Sequence, residues 1–412
     1  MKTSSLHALL AAGALLSAAL FLPSCKSDLP GPDNGPTEQE TMLSAVLAQM
    51  VTGTINPTYK ALADNTEKLY EAVAEMRESA KTRSVTGSQI EKACTLFKAA
   101  RAEYEKSEAF LLGAAAKFNV DPHIDSWPLD VNAVITLLSS PKMLEDLDAD
   151  NGDEVAYGSL GQNTLGFHGL EFILFRDGEP RDIAELNGND TYPRLEALTG
   201  EQELIYAKAV AGDLRNNCYQ MEIAWNAASN SAHLEKLDAL EWQYTTNGEI
   251  SFGEDLTGAG KPGSSYTSLK SAIAAVVIGD LGCVGICDEV ADTKIGKPHN
   301  GSTEEDINYI ESPYSYNSIT DFYDNVTSIE NIWKGTVSGA SHPNSLSAYF
   351  AKYHAAEGKA VEAALAKAHE EIRKMPVPFV KFYKDPQCSI AINALHDLSG
   401  ALSRANDVLQ ND

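Results

Sequence analysis

Basic residues are scarce in this chain: 32 Lys and Arg stand against 58 Asp and Glu in 412 residues, a formal charge of −26 at pH 7. Nucleic acids and anionic lipid surfaces carry the same sign and would repel it, so neither is an expected partner. Cations are the better-matched ligands, although the same composition also serves solubility alone. Cysteine is sparse as well, at six residues. Cys283 and Cys287 lie four apart in a small apolar segment with no second Cys or His pair at zinc-finger spacing. They read as buried structural thiols or one disulfide. No run of alternating apolar and polar residues is long enough for a sheet, which leaves helices as the building material.

What is present begins with a signal at the N-terminus. After Met1-Lys2 comes an apolar run from about Ala8 to Leu22, then Leu22-Pro23-Ser24-Cys25. The run is short and N-terminal, as in a secretory signal rather than a spanning helix. The sequence predicts a lipoprotein signal peptide over 1–24, with Cys25 lipidated as the first mature residue. An oxidising compartment follows, where the five other cysteines, an odd number, leave at least one thiol free. Residues 25–37, rich in proline and glycine, read as a tether.

From Glu38 the apolar spacing is helical. Leu43, Val46, Leu47 and Met50 share one face, and Leu62, Leu69, Val73 and Met76 another. Ser88 with Glu91 predicts a capping box for a third helix over about 89–117. Asp125 or Ser126 is the expected cap of the next helix, and Ser318 with Asp321 that of a later one. Long helices are expected over about 200–228, 268–291, 348–374 and 386–409. Residues 247–266, with many glycines, read as an irregular excursion that could act as a lid. The expected architecture is all-α, two packed helical bundles covering 38–195 and 196–412.

One stretch carries chemistry. In Gly166-Phe167-His168-Gly169-Leu170-Glu171, a helix would project His168 and Glu171 from one face, so that an imidazole and a carboxylate converge. That pair is a metal-ligand geometry, or else a hydrogen-bonded buried pair. Glu108 falls on the apolar stripe of the third helix with Tyr104 and Ala100, where a carboxylate needs a partner, and Glu105 could reach the same point. Asp125 complements them. No His-Glu-x-x-His occurs: a second His is missing from His168-Gly169-Leu170-Glu171-Phe172, and Phe172 blocks the inverted form. No catalytic residue is assigned. A histidine with several carboxylates suits iron, calcium or manganese, or zinc with mixed ligands.

The Gly-x-His-x-x-Glu helix is preceded by Ala100-Arg101…Tyr104…Ser107-Glu108-Ala109-Phe110 and by Trp127-Pro128-Leu129-Asp130. It is followed by Ser312-Pro313-Tyr314-Ser315-Tyr316-Asn317-Ser318…Asp321-Phe322…Asn325. Together these resemble the imelysin-like family of bacterial envelope proteins. The resemblance implies a metal site at His168, Glu171, Glu108, Asp125 and Glu105, with Gly166, Trp127, Ser315, Asn317 and Asp321 as supporting motif residues. It implies a role in iron uptake: an iron ion or iron-bearing ligand as partner, with envelope iron-transport components beside it. It also implies a place at the outer membrane of a Gram-negative-type bacterium, held by the lipid anchor alone. The family carries a peptidase name, so a metallopeptidase is one alternative. A glycan-binding or structural surface protein, using Tyr314, Tyr316 or Trp127, is another.

Overall fold

Apolar residues at three- and four-residue spacing make the chain helical almost without interruption from Glu38 to Ala80, as α1 (Glu38–Met50), a π-helical turn (Val51–Ile55) and α2 (Asn56–Ala80). The wide turn has a local cause. Pro57 lacks an N–H and its ring crowds the carbonyl four residues back, and a π turn relieves both without ending the helix. A second π segment, Glu289–Ile295, likewise runs into a helical turn containing Pro298. That second segment supplies a site residue.

The computed structural model describes residues 35–412, and Glu38–Asp412 form one compact unit. The expected signal peptide, Cys25 and most of the tether lie outside the described residues. The other principal helices are α3 (Gly87–Glu105), α4 (Gly166–Leu174), α5 (Gly200–Trp225), α6 (Leu269–Ile278), α7 (Cys283–Asp288), α8 (Ser318–Lys334), α9 (Ala355–Arg373) and α10 (Pro386–Asn411). Among the described residues the only strands are β1 (Phe175–Arg176) and β2 (Glu179–Pro180), an antiparallel pair with Phe175 opposite Pro180. The fold is all-α, as the sequence predicts.

Helix α2 packs against α3 and α5, and α4 is wedged against α3 and α5. A second group forms around α10, which packs against α6, α7 and α9. Contact between α3 and α8 joins the two groups. One large apolar core runs through both, from Leu43 and Tyr59 to Phe350 and Leu409, with a small second cluster at Ala63, Tyr219, Ile223 and Leu237. Leu269–Asn300 is apolar and long enough to cross a membrane by composition alone. Here its Ile273, Val276, Cys287 and Val290 are buried in that core.

Several boundaries depart from the sequence reading. The cap of α3 is Thr86, reciprocated by Gln89, because the chain turns two residues earlier than Ser88. Helix α3 stops at Glu105, and Glu108–Phe110 form a separate 3₁₀ turn. Ser107 donates its hydroxyl to the Tyr104 carbonyl at 2.7 Å, which satisfies one of the carbonyls freed at that end. Asp130, not Asp125 or Ser126, caps the helix that follows. Asn317 precedes α8 without a side-chain cap: Ser318 and Asp321 are engaged elsewhere. The excursion at 247–266 contains a capped helix, Phe252–Thr257. Cys283 and Cys287 are buried free thiols, as are Cys94, Cys218 and Cys388.

Candidate functional site

All nine residues of α4 are buried, which a helix carrying a His and a Glu tolerates only if both find partners. Its start is fixed by Gly166, at φ +65°, where an added Cβ would lie 1.9 Å from the Ile124 carbonyl oxygen. No side chain fits there. Gly166→Ala should therefore cost about 3 kcal/mol of stability, from backbone strain and collision together. Urea unfolding monitored by circular dichroism measures it.

His168 is 3 % exposed. Its Nε2 lies 3.3 Å from Asp125 Oδ1, without hydrogen-bond alignment, and its Nδ1 lies 3.5 Å from Glu171 Oε2. Glu171 is pinned from its other oxygen, which accepts the Tyr314 and Ser315 amides at 3.1 and 2.8 Å and the Ser315 hydroxyl at 2.7 Å. The two sequence motifs thus meet through one carboxylate. Glu171 positions His168 and anchors the 312–317 loop. Replacing it by glutamine should weaken ligand binding at His168 by about 10- to 100-fold, the usual effect of freeing a ligand's orienting partner. Calorimetric titration reads that change.

Beneath the imidazole lies a buried charge network. Arg101, fully buried, pairs with Glu105, Asp125 and Glu311, and its Nε lies 3.8 Å from Asp321. Lys294, equally buried, reaches Glu105 and Glu108 at 3.5 Å and Glu311 at 3.2 Å. Asp321 accepts hydrogen bonds from Ser312 and Asn317, Glu105 from Asn325. Trp127 donates its indole N–H to the Tyr309 carbonyl at 3.1 Å, and its ring stands 6.4 Å from that of His168.

Acids outnumber bases in this interior. Glu105, Glu108, Asp125, Glu171, Glu311 and Asp321 are all buried, with Asp121 and Glu289 close by, against Arg101, Lys294 and His168. The surplus shows in the titration. Burial, opposed by Arg101 and Lys294, raises Glu105 to about 8, and burial raises Glu108 well above the usual range against Lys294. Burial also lifts Asp321 to about 6 despite Arg101. Burial would lower His168, but Asp125 and Glu171 raise it to about 9. Asp125 moves the other way: its burial is outweighed by Arg101 and His168, which hold it well below the ordinary range.

Four of the five sequence-predicted ligands, Asp125, His168, Glu105 and Glu108, fall into two donor sets rather than one, and Glu171 belongs to neither. Single donor atoms of Asp125, His168 and Glu311 lie within 4.8 Å of one another, and so do those of Glu105, Glu108 and Asp125. Asp125 is common to both. His168 Nε2 and Glu171 Oε2 are buried and make no hydrogen bond, so donor capacity is left over for a cation, whereas Glu105 Oε1 and Glu311 Oε2 face Arg101 and Lys294. A cavity of about 450 Å³, walled by Trp127, Pro128, Tyr192, Ile310, Pro313 and Tyr314, reaches His168. Tyr316 lies elsewhere, donating to Asp177. Sequence reasoning missed Glu311, Lys294 and the role of Arg101. A lysine in the apolar stretch before Pro298, and an arginine four residues before Glu105 on a buried stripe, were the available signals.

Other proteins resemble this chain in sequence and fold. The family model described as Imelysin matches residues 55–405. Iron-regulated protein A of Synechococcus elongatus is 23 % identical over 366 residues, covering 89 % of this chain and 85 % of that protein. A crystal structure assigned as an iron-regulated protein A precursor from Parabacteroides distasonis superposes with a TM-score of 0.72 at 26 % identity, covering 91 % of this chain and 96 % of the other. An imelysin-like protein from Psychrobacter arcticum shares the fold, with a TM-score of 0.56 at 14 % identity over 91 % and 94 % of the two chains. With most of its length matched by the family model, this chain belongs to the imelysin family.

Proposed function

We propose that this protein binds a metal cation, iron in its cellular setting, or a ligand that carries one, at Asp125, His168 and Glu311. The observation that carries the reading is the convergence of those three donors, one of which, His168, lines the 450 Å³ cavity, within a region holding more carboxylates than bases. A buried acid without a base either keeps a proton or takes a cation. His168 Nε2 and one oxygen each of Asp125 and Glu311 would hold the ion. Glu171 sets the imidazole's orientation, and Arg101 keeps Asp125 and Glu311 gathered. The mixed N and O donors suit iron, manganese or zinc better than a thiolate site's metals.

The name of the Synechococcus relative, iron-regulated protein A, supports iron over the other metals. A lipid anchor at Cys25, a cell-envelope location at the outer membrane, and iron-transport components as partners complete the proposal. A peptidase would need a general base beside the metal. Glu171, the acid in the motif, already accepts three hydrogen bonds on one oxygen, which weighs against that role. Titration with Fe²⁺ under anaerobic conditions, and with Mn²⁺, Zn²⁺ and Ca²⁺, tests the reading. A saturable site lost in His168→Ala/Asp125→Asn supports it, and unchanged binding in that variant rejects it.

Protons and cation compete for the same donors, so affinity should rise with pH. Glu105 at about 8, Asp321 at about 6 and His168 at about 9 hold protons that a cation must displace or repel. The metal-free protein has a matching liability. Carboxyls raised on folding bind more protons folded than unfolded above their ordinary range, and His168 does so above its own. Their stabilising contribution is complete only below the ordinary carboxyl range, about pH 4, and is lost progressively as pH climbs from there, Asp321 by about 6, Glu105 by about 8 and His168 by about 9. Thermal melts should show the chelator-treated protein less stable at pH 8.5 than at pH 5.5. Mn²⁺ should recover the difference at the higher pH and do little at the lower.

A further inference from the structure

Two donor sets share Asp125, yet only one of them faces the cavity. The outer set holds His168, which lines that cavity. The inner set, Glu105 and Glu108 with Asp125, does not line it, and the Lys294 ammonium sits against this set, 3.5 Å from a Glu105 oxygen and 3.5 Å from a Glu108 oxygen. Glu311, a member of the outer set, lies 3.2 Å from the same nitrogen. Lys294 is fully buried and its charge lies 5.4 Å over the Trp127 ring. An ammonium ringed by three carboxylates is a cation in a cation site, delivered by the chain itself.

We infer that Lys294 is the resident occupant of an inner cation position at Glu105 and Glu108, and that neutralising this lysine opens the position to a divalent metal ion. Three observations bear on it independently of the outer site. The lysine enters from the π segment Glu289–Ile295, a turn whose irregular register aims a long side chain into the core. Glu105 and Glu108 are 0 % and 5 % exposed, so neither carboxylate can turn to solvent if the ammonium is lost. Glu108 has no positively charged partner besides Lys294 among the described ion pairs. Removing the charge would leave that carboxylate uncompensated in a buried place, where a small divalent ion is the natural replacement. In the native chain the lysine thereby limits the protein to one ion at the outer position and excludes metal from the inner one.

The inner position is argued from its own geometry; only the total number of ions rests on the outer-site reading. The full chain and its Lys294→Met variant are titrated with Mn²⁺ by calorimetry, and bound metal is counted after dialysis. The expected counts are one ion for the native chain and two for K294M. The metal-free variant should melt several degrees below the native protein and regain most of that loss with Mn²⁺. Adding Glu108→Gln to Lys294→Met restores the charge balance and should return the count to one. Equal counts in native and K294M protein overturn the inference, as does a K294M protein that Mn²⁺ fails to stabilise or to fold. No ion in the native chain but one in K294M would overturn the outer-site reading and leave the inner one standing.

Discussion

Arg101→Met should destabilise the protein by about 3–5 kcal/mol, the usual cost of removing one partner from a buried ion pair, and leave little folded chain at 37 °C. The size follows from the number of charges that one guanidinium serves. Arg101 is fully buried and contacts Glu105, Asp125 and Glu311, with Asp321 at 3.8 Å. These partners come from α3, the 125–130 loop and the two ends of the 311–321 segment, so the arginine ties both halves of the chain together. Methionine replaces the volume and none of the charge. An exposed pair gives the contrast: Lys142 and Asp146 meet at 2.8 Å, but the lysine side chain is 74 % exposed, and its loss should leave the urea midpoint essentially unmoved. Urea denaturation of both variants, at pH 7 with chelator, separates the two outcomes. A loss of under 1 kcal/mol in R101M would mean that the acids reorganise or protonate without it.

His168→Ala should lower Mn²⁺ affinity by about 100-fold or more, beyond the effect of freeing an orienting partner alone. The imidazole is the one nitrogen donor in the outer set, and the cavity reaches the site at this residue. The pH dependence should flatten in the same variant, because the proton held near pH 9 on His168 is no longer there to be displaced. Glu171→Gln should share the affinity loss in part and keep a pH dependence, moved to lower pH because Glu171 no longer helps to raise His168. Titrations at pH 6.5 and 8 distinguish a residue that holds the ion from one that orients it.

Helix existence was legible in the sequence because periodic apolar residues report burial locally. The faces of Leu43 to Met50 and Leu62 to Met76 form the buried sides of α1 and α2. Helix ends were less so. Thr86 rather than Ser88 caps α3, since two hydroxyl residues so close together compete and the tertiary exit of the chain decides. Ser318 and Asp321 match a capping box in spacing, but burial recruits them first: Ser318 donates to the Glu311 carbonyl at 2.6 Å and Asp321 faces Arg101. The break after Glu105 was not visible because Glu105 and Glu108 continue the helical spacing without interruption.

The same limit shaped the site. His168 and Glu171 could be paired because three residues on one helix must share a face, and Glu108 could be flagged because an acid on an apolar stripe demands compensation. What compensates it could not be read. Lys294 and Glu311 lie far along the chain from Glu108, and helical periodicity is silent about partners on other elements. Chemistry gave the acids, and only the folded chain shows that two buried cations stand among them.

The central claim, that Asp125, His168 and Glu311 together hold a cation, is tested most directly by crystals soaked in Mn²⁺ with anomalous data recorded at the manganese edge. The account predicts one strong peak within coordination distance of His168 Nε2 and of an oxygen from both Asp125 and Glu311. Peaks confined to exposed surface acids, with none beside His168, would contradict it.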